Sequence, residues 1–218
     1  MKTATKRPMS LSFSARGTGW AKARLHIGDD DFVFSISYIW GGINDFVKRV
    51  YYLSPNLGYD AYDSRVMEYE DAEITSVLDG EEATRYWEDI PWRTTPLEWN
   101  SEPDFVRLVF ERPINLDSDF DVSITLDVHR DENCQYSYTV RYRDLCYATA
   151  KAVTDLITEC GIIGFYESTW MEDINLRQFL KIKEIALDMP IKKNRDSEDA
   201  DAVHTSLEEE FKLLLKPM

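Results

Sequence analysis

The chain has 218 residues, with 40 Asp and Glu against 25 Lys and Arg, so its formal net charge is −15 and its pI is near 4.6. A hydrophobic content of 44% and an aromatic content of 13% are ample for a packed core, which argues against global disorder. The negative charge argues against nucleic acid as a direct ligand and against anionic membrane surfaces, because phosphates are bound through clustered Lys and Arg.

The compartment is predicted from three features. The basic N-terminus has no apolar stretch after it, so it does not match a secretory signal. The longest uncharged run, residues 32–44, is too short to span a bilayer. Three cysteines without a Cys-x-x-Cys pair fit reduced thiols. We therefore expect a soluble, cytoplasmic protein without a transmembrane segment.

The first 55 residues alternate apolar and polar side chains in three runs, at 9–15, 21–27 and 32–40. This period predicts three adjacent antiparallel strands joined by turns. After Gly41-Gly42 the apolar spacing becomes i, i+3, i+4, i+7, which predicts a helix that covers the apolar face of the sheet.

Residues 60–104 form an acidic, aromatic-rich segment with fourteen carboxylates, three arginines and a net charge of −11. Residues 66–78 fit either a bulged strand or an irregular helix. Pro91, Pro96 and Pro103 break the following stretch into extended or turn pieces. We expect this segment to cross the domain surface, anchored by its aromatic side chains.

Regular alternation returns at 105–110, 120–129 and 135–143 and predicts three more strands. Asp144 is placed to cap a helix that ends near Gly161, where a left-handed cap residue is expected. Three strands followed by a helix thus occur twice, a possible βββα pseudo-repeat. The predicted fold is α+β, with one antiparallel sheet of about six to seven strands, helices packed on one face and a C-terminal helix.

The remaining residues predict a tail attached to a single domain of residues 1–190. Residues 162–170 are interpreted as a loop or short strand, and a further helix starts at Glu172 or Asp173 and stops before Pro190. Residues 191–203 form a polar linker. Residues 204–218 form a docking helix that opens with the capping box Ser206-Leu207-Glu208-Glu209 and has an apolar row at Leu207, Phe211 and Leu214.

No catalytic, cofactor-binding or metal-ligating residue is assigned. His26, His129 and His204 lack companion ligands at metal-binding spacing, and Asp29-Asp30-Asp31 fits a solvated hairpin tip better than a calcium loop. Cys146 and Cys160 fit small core residues. Carboxylate pairs are so frequent in the acidic segment that their proximity in sequence has almost no specificity, so a carboxylate-based hydrolase stays open.

The acidic segment carries the partner-binding hypothesis. Tyr and Trp are enriched in protein interfaces, and disordered acidic tracts are poor in them, although loop anchoring explains these rings about equally well. A negative field also speeds encounters with a cationic protein. The predicted contact residues are Asp63, Glu68, Glu70, Asp71, Glu73, Glu81, Glu82, Tyr86, Trp87, Glu88, Asp89, Trp92 and Trp99.

The opening residues 15–25, followed by Ser37-Tyr38 and a helix, resemble small bacterial domains. In size, charge and layout the chain is similar to immunity proteins, the acidic cytoplasmic antidotes of bacterial polymorphic or contact-dependent toxins. This resemblance implies an obstructive binder of a basic toxin domain, often a nuclease. Immunity proteins have many folds, so no residue role is transferred.

The favoured function is therefore non-enzymatic neutralisation of a basic protein partner, without a cofactor. The first alternative is a homo-oligomeric regulatory or scaffold protein, such as a homodimer, whose acidic face only solubilises it. Removal of residues 204–218 would abolish such a dimer. The second alternative is the hydrolase, which requires a deep pocket with two acids and an aromatic wall.

Overall fold

The computed structural model describes residues 8–15, 20–37, 42–54, 94–101, 104–113, 120–129, 133–168, 174–195 and 203–218. Within these ranges the fold is α+β with antiparallel sheets, as predicted. The strands are β1 Met9–Ala15, β2 Trp20–Ile27, β3 Asp30–Ser37, β4 Thr94–Ser101, β5 Asp104–Glu111, β6 Asp121–His129, β7 Asn133–Arg141, β8 Lys193–Arg195 and β9 Val203–Thr205. The helices are α1 Gly42–Tyr52, α2 Tyr142–Ser168, α3 Leu176–Leu187 and α4 Leu207–Leu215.

The first sheet has the order β1-β2-β3 and confirms the three strands predicted at the start of the chain. Its alternation buries one face, so that Leu11 of β1 lies opposite Leu25 of β2. The β2–β3 turn uses Gly28 at φ 65°, a left-handed conformation that glycine adopts at little cost. Arg24 and Asp31 pair at 2.6 Å on the exposed face beside this turn.

The second sheet has the order β4-β5-β6-β7 and also buries one face. Leu108 of β5 lies opposite Leu126 of β6, and both are fully buried. Strand β4 contains Pro96, which has no N–H to donate to a ladder. The end position of β4 in the strand order fits this residue, because proline in sheets is largely confined to edge strands.

The prediction of one sheet of six to seven strands is not confirmed. The described residues form separate sheets of three and four strands, with β8 and β9 as a further pair. Alternation determines which face of a strand is buried, but it carries no information about which edges pair. Strand β3 meets the second sheet through side chains instead: the Phe34 and Trp99 rings lie 5.9 Å apart, and Phe32 and Tyr136 lie 5.0 Å apart.

Helix α1 packs against the apolar faces of both sheets through the apolar stripe that its spacing predicted. Phe46 of α1 is fully buried, and its ring lies 6.0 Å from that of Phe13 in β1 and 5.5 Å from that of Phe110 in β5. Tyr142, the first residue of α2, donates its hydroxyl hydrogen to the Val50 carbonyl of α1 at 3.1 Å. The core is therefore shared between both sheets and the first two helices.

Helix α2 begins earlier than predicted, has a left-handed glycine at its predicted end and then continues as a second helical stretch. It begins at Tyr142, directly after β7, so Asp144 lies inside its first turn and is not the cap. Gly161 has φ 74° and ψ 166°, a conformation that only glycine adopts readily, but the helix resumes after this kink and runs to Ser168. The loop or short strand expected from residue 162 is therefore wrong, and Phe165 on the resumed helix is buried.

Helix α3 confirms the helix predicted before Pro190, and α4 packs onto it. Asn175 caps its N-terminus by accepting a hydrogen bond from the Gln178 amide. Within the predicted linker, Lys193–Arg195 pairs with Val203–Thr205 as β8 and β9. Ser206 caps α4 by accepting from the Glu209 amide at 3.4 Å, as the capping box predicted. The division into domain, linker and docking helix stays a prediction.

Candidate partner interface

Trp99 belongs to the core and does not form a contact surface. It is 1% exposed, and alternation in β4 points it inward together with Leu97. Its indole stacks on Phe46 of α1 with ring centroids 5.7 Å apart, and its Nε1–H donates to the Gly42 carbonyl at 3.1 Å. A buried Trp that also satisfies its N–H is a structural anchor. Its inclusion in the predicted contact set is therefore wrong.

The other twelve predicted contact residues lie outside the described residues, so their role stays a prediction. Of the acidic segment, the structure describes residues 94–101 and Asp104. Between inward-facing Leu97 and Trp99, Glu98 points outward and lies 3.6 Å from Arg107 on β5. In this strand the period of two places Leu97 and Trp99 inside and the Glu98 carboxylate outside.

Negative charge is distributed unevenly along the sequence. Residues 55–93 contain eleven carboxylates and three arginines, a net charge of −8, which is more than half of the −15 of the whole chain.

The described cysteines support the core interpretation of Cys146. Cys146 is fully buried in α2, and burial raises the pKa of its thiol to about 12, so it stays protonated and unreactive at neutral pH. Cys160 is partly buried and directs its thiol to the Leu156 carbonyl at 2.9 Å. Among the described residues, no group of three or more His, Cys, Asp or Glu side chains is arranged to hold a metal ion.

The described residues contain one buried cation without a carboxylate partner. Lys183 of α3 is 0% exposed, and its ammonium donates to the Leu214 carbonyl of α4 at 2.9 Å and to Thr154 Oγ1 of α2 at 3.2 Å. Its Nζ also lies 5.6 Å from the centre of the Phe179 ring. Burial lowers the pKa of Lys183 to about 8. The sequence pattern did not identify this residue, because lysine at a buried helix position is rare.

Helix α4 exposes most of the apolar row that was expected to dock. Leu213 makes the buried contact at 1% exposure, and Leu214 is half-buried. Leu207 and Phe211 remain 65% and 53% exposed, and Leu215 is 77% exposed. We call Leu207, Phe211 and Leu215 the terminal stripe. It is an apolar surface on the described part of the chain that its own domain does not cover.

None of the helices among the described residues has the length and apolarity needed to cross a membrane. Comparison of the chain with protein-family models, with curated proteins and with solved structures finds no match.

Proposed function

We propose that the chain is an acidic binding protein that neutralises a basic protein partner, with a toxin domain blocked by its immunity protein as the specific case. The observation that supports this proposal is the distribution of charge along the sequence: residues 55–93 carry a net charge of −8 out of −15 for the whole chain. A segment with this excess of negative charge attracts a cationic surface and accelerates its association.

The aromatic residues of the same stretch supply the second part of the argument. Tyr86, Trp87 and Trp92 lie among the carboxylates in the sequence. Desolvated Tyr and Trp side chains are the residues that most often dominate binding free energy, while surrounding charges mainly set the association rate. In this proposal the rings hold the partner and the carboxylates guide it.

The test uses two variants with equal net charge. The first reverses Glu68, Glu70, Asp71 and Glu73 to Lys. The second changes four exposed carboxylates among the described residues to Lys, namely Asp29, Glu111, Glu159 and Glu167. The first variant should lose capture of the basic protein that the wild-type chain recovers from its native host, and the second should retain it.

The kinetics of the isolated pair give a second measurement. Added salt should slow association more than it accelerates dissociation, because screening acts on the long-range attraction. Equal binding by both charge-reversal variants, or recovery of no protein of high pI, would refute the proposal. If the partner is a toxin, co-expression with the wild-type chain should restore growth, and the first variant should not.

A further inference from the structure

The terminal stripe has a geometry that favours one particular occupant. Its three side chains stand at i, i+4 and i+8 and therefore form a single row along α4. Leu213, the residue that α4 buries against its own domain, lies on another side of the helix. A second helix can consequently approach the row without displacing the existing contact.

We propose that the terminal stripe is a self-association surface, on which α4 of a second copy of this chain packs in antiparallel orientation. The result is a two-fold symmetric dimer. This inference depends on α4 alone and is independent of the proposed neutralising function.

The row is self-complementary in shape. Leucines at both ends flank a central phenylalanine, so a two-fold axis beside Phe211 places Leu207 of one copy against Leu215 of the other. The two Phe211 rings then meet at the centre. In a two-fold interface the same patch serves both subunits, and a row symmetric about its centre meets this condition. Aromatic pairs at such a centre contribute beyond their buried area.

Charge selects the antiparallel orientation. Three glutamates lie in the N-terminal half of α4, and Lys212 and Lys216 lie in or just after the C-terminal half. Glu208 and Lys212, which pair at 2.6 Å within one copy, border the stripe on the same side. Antiparallel packing places the two Lys212 side chains near the two-fold axis, with Glu208 of each copy beside Lys212 of the other copy, and it opposes the helix dipoles. Parallel packing instead brings Glu208 towards Glu210 of the second copy.

The size of the row sets the expected strength. Stable interfaces typically bury roughly 1,200–2,000 Å² in total, and three side chains from each copy supply less than this. We therefore expect a reversible dimer whose population rises with protein concentration.

Sedimentation of the full chain over a concentration series tests the dimer. Phe211→Asp should weaken self-association at least about tenfold, equivalent to about 1.4 kcal/mol. The control is Ile163→Asp, which also replaces an exposed apolar side chain by Asp. Ile163 lies on α2 and is 74% exposed, so this variant should leave the dimer intact. Circular dichroism checks folding, and Leu215→Asp replaces Phe211→Asp if that variant is unfolded.

Charge exchange tests the orientation. Glu208→Lys and Lys212→Glu should each weaken the dimer, whereas the double exchange should restore it, because opposite charges again face each other. A wild-type chain that stays monomeric throughout the series overturns the proposal, as does a dimer that survives both stripe variants. Failure of the double exchange overturns the antiparallel arrangement. Loss of partner capture in the charge-reversal variant of residues 68–73, with the dimer retained, separates the two proposals.

Discussion

Lys183 makes a quantitative prediction about pH and stability. It is fully buried, and its pKa is lowered from 10.5 to about 8 because burial disfavours the charged ammonium. Between these values the unfolded chain binds more protons at this site than the folded chain does. The contribution of Lys183 to the free energy of unfolding therefore increases as pH rises through the window from about 8 to 10.5.

The magnitude follows from the two pKa values. Linkage gives a gain of about 1 kcal/mol in the free energy of unfolding between pH 7 and pH 9 from Lys183 alone. In Lys183→Met the stem is approximately preserved and the titrating group is removed, so this gain disappears. Its hydrogen bond to the Leu214 carbonyl is lost as well, and amide protection of α4 should fall at every pH.

The assay is urea unfolding of the wild type and Lys183→Met at pH 7, 8 and 9. The difference in unfolding free energy between the two proteins should shift by about 1 kcal/mol in favour of the wild type across this range. The raised pKa of Cys146 lowers stability above pH 9, but it acts equally in both proteins and cancels. Lys192→Met removes an exposed lysine as a control. A wild-type-to-variant difference that does not change with pH refutes the reasoning.

Three further predictions concern stability. Trp99→Phe should lower the free energy of unfolding by about 2 kcal/mol, because it leaves the Gly42 carbonyl without its donor and opens a small cavity. An unchanged midpoint of chemical unfolding would contradict the core assignment. Gly161→Ala should lower Tm, because alanine at φ 74° costs about 1–2 kcal/mol of backbone strain. Steric overlap does not contribute, since an added Cβ meets no atom within 4 Å. A Tm equal to that of the wild type would contradict the kink. Ser206→Ala should destabilise α4 by about 1 kcal/mol, because it removes the N-terminal cap of this helix. Hydrogen exchange should show faster amide exchange confined to Leu207–Leu215, and unchanged exchange there would contradict the capping role.

The sequence predicted elements with a sustained period. Alternation identified β1 to β3 and β5 to β7, and helical spacing identified α1 and α3, because each of these elements buries one face. Strand β4 was described only as extended or turn pieces, since Pro96 interrupts it. Its one available signal was the pair of apolar residues at 97 and 99 on either side of Glu98, which also places Trp99 inside.

Other features depended on information that local patterns do not contain. A glycine at positive φ usually follows the end of a helix, so nothing at Gly161 indicated that α2 resumes. Strands of three residues, such as β8 and β9, are too short to show a period. The burial of Lys183 arises only when α2, α3 and α4 meet. For the candidate interface, the sequence located the acidic excess but assigned Trp99 to the wrong side of the fold.

Pro96 has a consequence for how other chains can approach the second sheet. A strand at the end of a ladder normally offers its free backbone groups as a template, and neighbouring molecules can extend the sheet by adding to them. A proline leaves a gap in the row of backbone N–H donors and makes such edge-to-edge pairing unfavourable. Addition of a further strand to β4 is therefore disfavoured at the position of Pro96.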